Sequence, residues 1–110
     1  MKSIIINSEY LGKGDDGLGA KLMASFIRTI GVSQLKPENI LMYNSGVKLM
    51  TDDSPVLIEL KMLEENGIDI LGCGTCITSF DLDDKIGVGK ISTMNDIVSI
   101  MMKSSNTITV

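Results

Sequence analysis

Short, purely apolar runs alternate along this chain with longer segments whose apolar residues recur every three or four positions. Ser3 to Asn7 is a continuous β-branched run, the pattern of a strand buried on both faces. Gly12 to Gly14 turns the chain, and Asp15 or Asp16 is placed to cap a helix. Leu18, Leu22, Met23, Phe26, Ile27 and Ile30 then fall on one helical stripe, closed by Gly31. Pro37 precedes a second strand, Asn39 to Asn44, and Ser45-Gly46 makes a turn.

Ser54-Pro55 reads as an N-cap followed by the first helical residue. Val56, Leu57, Leu60 and Leu63 form that helix's buried face, which ends at Asn66-Gly67. Ile68 to Leu71 is a third strand, and residues 74–84 hold a short helix. Gly87 to Ile91 makes a weak fourth strand. Thr93 with Asp96 resembles a capping box opening a last helix through Met102, and Thr107 to Val110 ends the chain as a strand. Strands alternating with helices over short loops predict an α/β fold, a mainly parallel sheet of about five strands with helices on both faces. The C-terminal strand ends then share one rim, where loops 8–14, 44–48 and 72–76 should meet.

Composition narrows the setting. A chain of 110 residues is one domain, spanning 1–110, and is large enough to build a core without staples. No apolar stretch approaches the ~18 residues of a membrane span, and the start is too short for a secretory h-region of roughly 7–15 residues. The expected location is cytoplasmic, with thiols reduced. A net charge of −4 with scattered Lys and Arg argues against a nucleic-acid surface. Only Tyr10, Phe26, Tyr43 and Phe80 could stack on bases.

Gly12-Lys13-Gly14-Asp15-Asp16-Gly17 fits G-x-G-x-x-G between a strand and a helix. Its two carboxylates would repel a pyrophosphate, and Tyr43-Asn44 leaves no acid at the tip of the second strand for a ribose. A glycine turn with an acidic cap accounts for the motif, and no cofactor is expected.

The chemistry concentrates in Gly72-Cys73-Gly74-Thr75-Cys76. These are the only cysteines, and the chain has no histidine, which excludes Ser-His-Asp and Cys-His catalysis and any imidazole ligand. Two thiolates alone cannot complete a zinc site, so no metal is expected. Three readings remain. Both thiols could be inert packing residues, although Gly72 and Gly74 suggest an accessible sulfur with free amides around it. They could be a thioredoxin-like redox pair, with Cβ atoms roughly 5–6 Å apart on a helix, although both prolines precede the motif. Or a thiolate at a helix N-terminus could attack the outer sulfur of a donor persulfide, hold that sulfur and pass it on.

Taken together, Asn7-Ser8, Leu11 to Asp16, Asn44-Ser45-Gly46-Val47-Lys48-Leu49 and Gly72 to Cys76, with Val88-Gly89 and Thr93-Met94, resemble the DsrE-like domain of the YedF family. These are sulfurtransferase-like proteins associated by name with selenium metabolism. The resemblance runs over essentially the whole chain. It implies a three-layer α/β/α sandwich and a relay of persulfide sulfur, or of selenium. Across the wider family one cysteine follows the third strand and carries the sulfur. Cys73 occupies that place, while Cys76 belongs to the narrower pattern, where it could resolve the persulfide as an internal disulfide or simply pack.

Such proteins usually carry an N-terminal TusA-like domain, whereas this chain starts at its first strand. A separate TusA-like donor, or a different one, is therefore expected, together with an acceptor. The resemblance further implies a homo-oligomer; a non-catalytic oligomeric binding domain is the remaining alternative. On this reading the amides of Gly74, Thr75 and Cys76 stabilise the charged sulfur. Asn7, Gly14, Asn44 and Gly46 line the rim, and Lys48 lowers the thiol pKa. Turn chemistry explains Asn44-Ser45-Gly46 equally well.

Overall fold

A computed structural model describes all 110 residues. Ten elements follow in order: β1 (Lys2–Ile6), α1 (Asp16–Val32), β2 (Asn39–Met42), a 3-10 helix (Asn44–Met50), α2 (Leu57–Glu65), β3 (Asp69–Cys73), α3 (Gly74–Ser79), β4 (Lys90–Ser92), α4 (Met94–Lys103) and β5 (Asn106–Thr109). The five strands form one sheet in the order β4-β3-β2-β1-β5, and every pairing is parallel.

That order decides which face each helix covers. From β1 to β4 the chain steps across the sheet in one direction, so right-handed crossovers put α1, α2 and α3 on the same face. The step from β4 to β5 runs back past β1 to the far edge, which sends α4 to the opposite face. Side-chain alternation matches this. Ile4, Ile6, Ile40, Met42 and Ile70 join Met23, Ile27, Leu60, Leu63 and Ile77 in one core of 17 buried residues. Ile5, Leu41 and Cys73 point the other way and meet Ile97 of α4 in a second core of four. The result is a three-layer sandwich with unequal layers.

Local chemistry sets the helix ends. Asp15 caps α1, its carboxylate accepting from the Leu18 amide at 2.7 Å. Thr93 caps α4 by accepting from the Asp96 amide at 3.1 Å. The reciprocal half of that capping box is not made, because the Asp96 carboxylate takes the Ser92 hydroxyl at 3.2 Å. Gly67, at φ +92, ends α2: its amide reaches Glu64 O at 3.0 Å and the Ile68 amide reaches Leu63 O at 3.2 Å.

Several expectations are corrected. The α1 stripe is narrower than the sequence suggests: Leu18 and Leu22 are 55% and 42% exposed, because only the Met23-Ile27-Ile30 line faces the sheet. Gly31 does not close α1, which continues to Val32 and is capped by the Ser33 amide. Ser54-Pro55 forms a turn before α2 rather than its first residues, with the Ser54 hydroxyl accepting from the Val56 amide at 3.2 Å. The second strand stops at Met42, and Ser45-Gly46 lies inside the 3-10 helix. The fourth strand is only Lys90–Ser92, since Gly87 to Gly89 is drawn under Met50. No helix is long and apolar enough to cross a membrane.

Candidate functional site

The third strand runs two residues further than its apolar pattern suggests. Cys73 is therefore the last strand residue and also the N-cap position of α3, in extended conformation. Strand parity turns its side chain to the α4 face, among Ile5, Leu41 and Ile97, where it is 2% exposed. Cys76, three residues on, is half-buried and packs against both cores. Both thiols are free.

The glycines flanking Cys73 serve packing rather than access. A Cβ on Gly72 would stand 2.5 Å from Met50 Sδ, and one on Gly74 would stand 3.2 Å from Ser92 O and 3.3 Å from Ile91 Cγ2. Bare Cα positions let Met50 slide under β3 and let β4 pass close to α3. The expectation that these glycines expose the thiol is overturned.

The two sulfurs are electrostatically unlike. Burial works against charge on Cys73. The amides of Cys76 and Thr75, with the Cys76 thiol and the Thr75 hydroxyl, outweigh it and bring the Cys73 thiol below its ordinary value. Burial pushes the Cys76 thiol up. The Asn44 amide partly offsets this, while the hydrogen bond to Cys73 and its charge push further upward. Cys73 is therefore the first of the two to give up its proton. The cause is local, since α3 has six residues and carries little macrodipole; individual amides do what a long helix was expected to do.

The 3-10 helix reaches this site from β2. Asn44 stands at φ +51, and its amide donates to Cys76 Sγ at 3.1 Å. Two residues on, a Cβ on Gly46 would lie 2.3 Å from Ile6 O. Glycine is therefore required where this segment crosses the end of β1. Asn44 belongs to the thiol pair through its backbone, and Gly46 is a packing residue within the 3-10 helix, neither a rim group nor a turn.

Lys48 is not a neighbour that lowers the thiol pKa. Its ammonium lies 3.5 Å from Glu9 Oε2 and 4.5 Å from the centroid of the Phe80 ring, and it is absent from the groups that shift Cys73. Three loops were expected to converge; two do. Loop 44–48 joins the cysteine turn through Asn44, and it meets loop 8–14 at Glu9, whose amide donates to the Ser45 hydroxyl at 3.2 Å and whose carboxylate pairs with Lys48. Asn7 instead faces a cavity of about 500 Å3 at the ends of β1 and β5, lined also by Tyr10, Lys13, Asp16 and Thr109. Gly14, at φ +158, lines a shallow dip beside Leu18 and Leu22. Neither shares a hydrogen bond or a cavity with the cysteines.

No family model and no curated protein matches the chain. Solved structures do. A protein of unknown function from Methanobacterium thermoautotrophicum, MTH1491, is similar over 99% of this chain and 97% of its own, with a TM-score of 0.73 and 18% identity. The ychN protein of E. coli covers 100% of both chains at a TM-score of 0.65 and 14% identity. BT1422 of Bacteroides thetaiotaomicron, also of unknown function, is similar over 99% of this chain and 94% of its own, with a TM-score of 0.67 and 18% identity. These likenesses establish the α/β fold.

Met50 and Phe80 went unsingled in the sequence. Met50 fills the space above both Gly72 and Gly89, and the Phe80 ring lies against the Lys48 ammonium. A glycine in β3 and another just before β4 were the signal for a large side chain between them.

Proposed function

We propose that this chain is a sulfur-relay protein, working in a reducing cytoplasm, in which Cys73 holds a sulfane sulfur as a persulfide. The observation that carries the reading is the opposite displacement of two free thiols three residues apart at the end of β3. One is set to ionise early, and the other keeps its proton. The Cys73 thiolate attacks the outer sulfur of a persulfide R–S–SH, forming Cys73–S–SH and releasing R–S⁻. An acceptor thiolate R′–S⁻ then takes the same outer sulfur and returns Cys73 as thiolate. Atoms balance at each step and no external oxidant or reductant is needed. The amides of Thr75 and Cys76 that favour charge on Cys73 also favour the persulfide anion. Donor and acceptor are thiol or persulfide carriers, a TusA-like protein among the candidates, and selenium could travel the same path.

Intact-mass measurement after incubation with glutathione persulfide tests this. Reduced wild-type protein should gain the mass of one sulfur and lose it to an acceptor thiol. No gain on wild type, Cys73→Ser or Cys76→Ser removes the proposal.

One observation favours a second reading. The Cys76 side chain packs against the cluster that holds Cys73, and both thiols are free, so the pair could cycle between dithiol and disulfide, giving two electrons and two protons to a disulfide substrate. Equilibrium titration against a glutathione redox buffer separates the two: a reversible internal disulfide with dithiol reductase activity supports redox cycling over sulfur carriage.

A further inference from the structure

The sulfur best suited to hold the cargo is the one least able to receive it. Cys73 is 2% exposed, enclosed by Ile5, Leu41 and Ile97, and its flanking glycines are filled by neighbours. Cys76 is half-buried, packs against the cluster that holds Cys73 and sits where the two cores meet. The Asn44 amide, 3.1 Å from Cys76 Sγ, stands ready to stabilise negative charge on that sulfur.

We propose that sulfur enters at Cys76 and is handed inward to Cys73, so that Cys76 is the port of the relay and Cys73 its store. This rests on the sulfur-carrier reading and adds an order to it. In the first step Cys76 Sγ attacks the outer sulfur of the donor R–S–SH while its proton passes to the Cys73 thiolate. Cys76–S–SH forms and R–S⁻ departs, then takes the proton back from Cys73. In the second step the Cys73 thiolate attacks the outer sulfur of the Cys76 persulfide, giving Cys73–S–SH and a Cys76 thiolate. The persulfide proton passes to that thiolate, leaving Cys73–S–S⁻ beside a neutral Cys76 thiol. The S–S bond to the donor is exchanged twice, and nothing is oxidised or reduced overall. The unequal acidities fit this direction: the better-stabilised anion ends up on the inner sulfur.

Fidelity follows from the geometry. A sulfane sulfur on Cys73 is shielded from stray thiols by the same side chains that bar direct loading. Release reverses the route: an acceptor collects from Cys76 after the sulfur moves back out.

The test is a quenched time course with glutathione persulfide, in which persulfides are trapped by alkylation and mapped by peptide mass spectrometry. In wild type, label should appear on Cys76 first and pass to Cys73. Cys73→Ser should accumulate sulfur on Cys76. Cys76→Ser should load Cys73 about tenfold or more slowly, because the buried thiol then waits for a local opening. If Cys76→Ser loads at the wild-type rate, or Cys73 labels first in wild type, the port is wrong while the carrier reading stands. If no protein takes up sulfur, the carrier reading itself fails. Wild-type ordering is independent of how either substitution folds.

Discussion

On one face of the sheet, Ile4, Ile6, Ile40, Met42 and Ile70 lie beneath α1, α2, α3 and the 3-10 helix. On the other, Ile5, Leu41 and Cys73 have α4 alone. The same strands supply both faces, and their residues are similarly apolar. The imbalance comes from topology: three crossovers advance in one direction and a single one returns. The lighter face also takes a polar patch at its base, where the Ser3 hydroxyl meets the Ser104 hydroxyl at 2.7 Å and the Asn39 side-chain amide at 3.4 Å. Along α4, Met94 and Val98 remain exposed and Met102 is 82% exposed. The thiols sit on the boundary, Cys73 under the thin cover and Cys76 touching both sides. In the proposed relay, the sulfur store would lie under the thinner of the two covers.

Substitution of one buried residue on each face is the strongest way to break this comparison. Leu60→Ala should cost about 2–5 kcal/mol, because a cavity ringed by α1, α2 and the sheet cannot collapse. Ile97→Ala should fall near the low end of that range, since α4 can settle onto the strands. Equal losses in chemical denaturation would show that the light face is as rigid as the heavy one. Gly46→Ala is next. Its Cβ would meet the Ile6 carbonyl, and the resulting overpacking should cost about 1–3 kcal/mol. It should also move the Asn44 amide off Cys76, detectable as faster alkylation of that thiol; an unchanged alkylation rate would separate the segment from the site.

Helix caps sharpen the contrast at smaller scale. Asp15→Ala and Thr93→Ala should each cost about 1 kcal/mol. Hydrogen exchange should nevertheless differ, with Thr93→Ala speeding exchange mainly in α4 and Asp15→Ala acting through the large core. Matching exchange patterns would argue against independent opening of the thin layer.

The mildest test is titration. Cys73 ionises more readily in the folded chain. Its contribution to stability is therefore fully present above the unfolded thiol value of about 8.5 and is lost as pH falls through its folded value. Cys76, with a raised value, works in the opposite sense: its contribution is present below the unfolded value and is lost as pH rises through its folded one. Thiolate absorbance should rise in two steps that straddle the free-cysteine midpoint. A single step at that midpoint would erase the asymmetry on which the sulfur-carrier reading stands.

Much of the layout was legible in residue order. The isoleucine run of β1, the Asp15 cap, Gly67 after α2 and Thr93 before α4 are local signals, written by backbone sterics and hydrogen bonds between near neighbours. Strand number and parallel pairing followed from alternating patterns. Boundaries that slipped did so for non-local reasons. β3 continues through Gly72 and Cys73 because β4 pairs with it there, and Leu18 and Leu22 are exposed because no second element reaches that side of α1.

The amino-acid order alone determined that this is an α/β chain whose distinctive chemistry rests on two thiols three positions apart. Only the tertiary structure decided which sulfur is enclosed, that Asn44 serves Cys76 and that Lys48 is held by Glu9 and Phe80 instead of the thiols. It also set Asn7 beside β5. Spacing fixes what neighbours along the chain can do, but burial and pKa depend on which distant segments the sheet order brings alongside, and that order is a property of the whole packing.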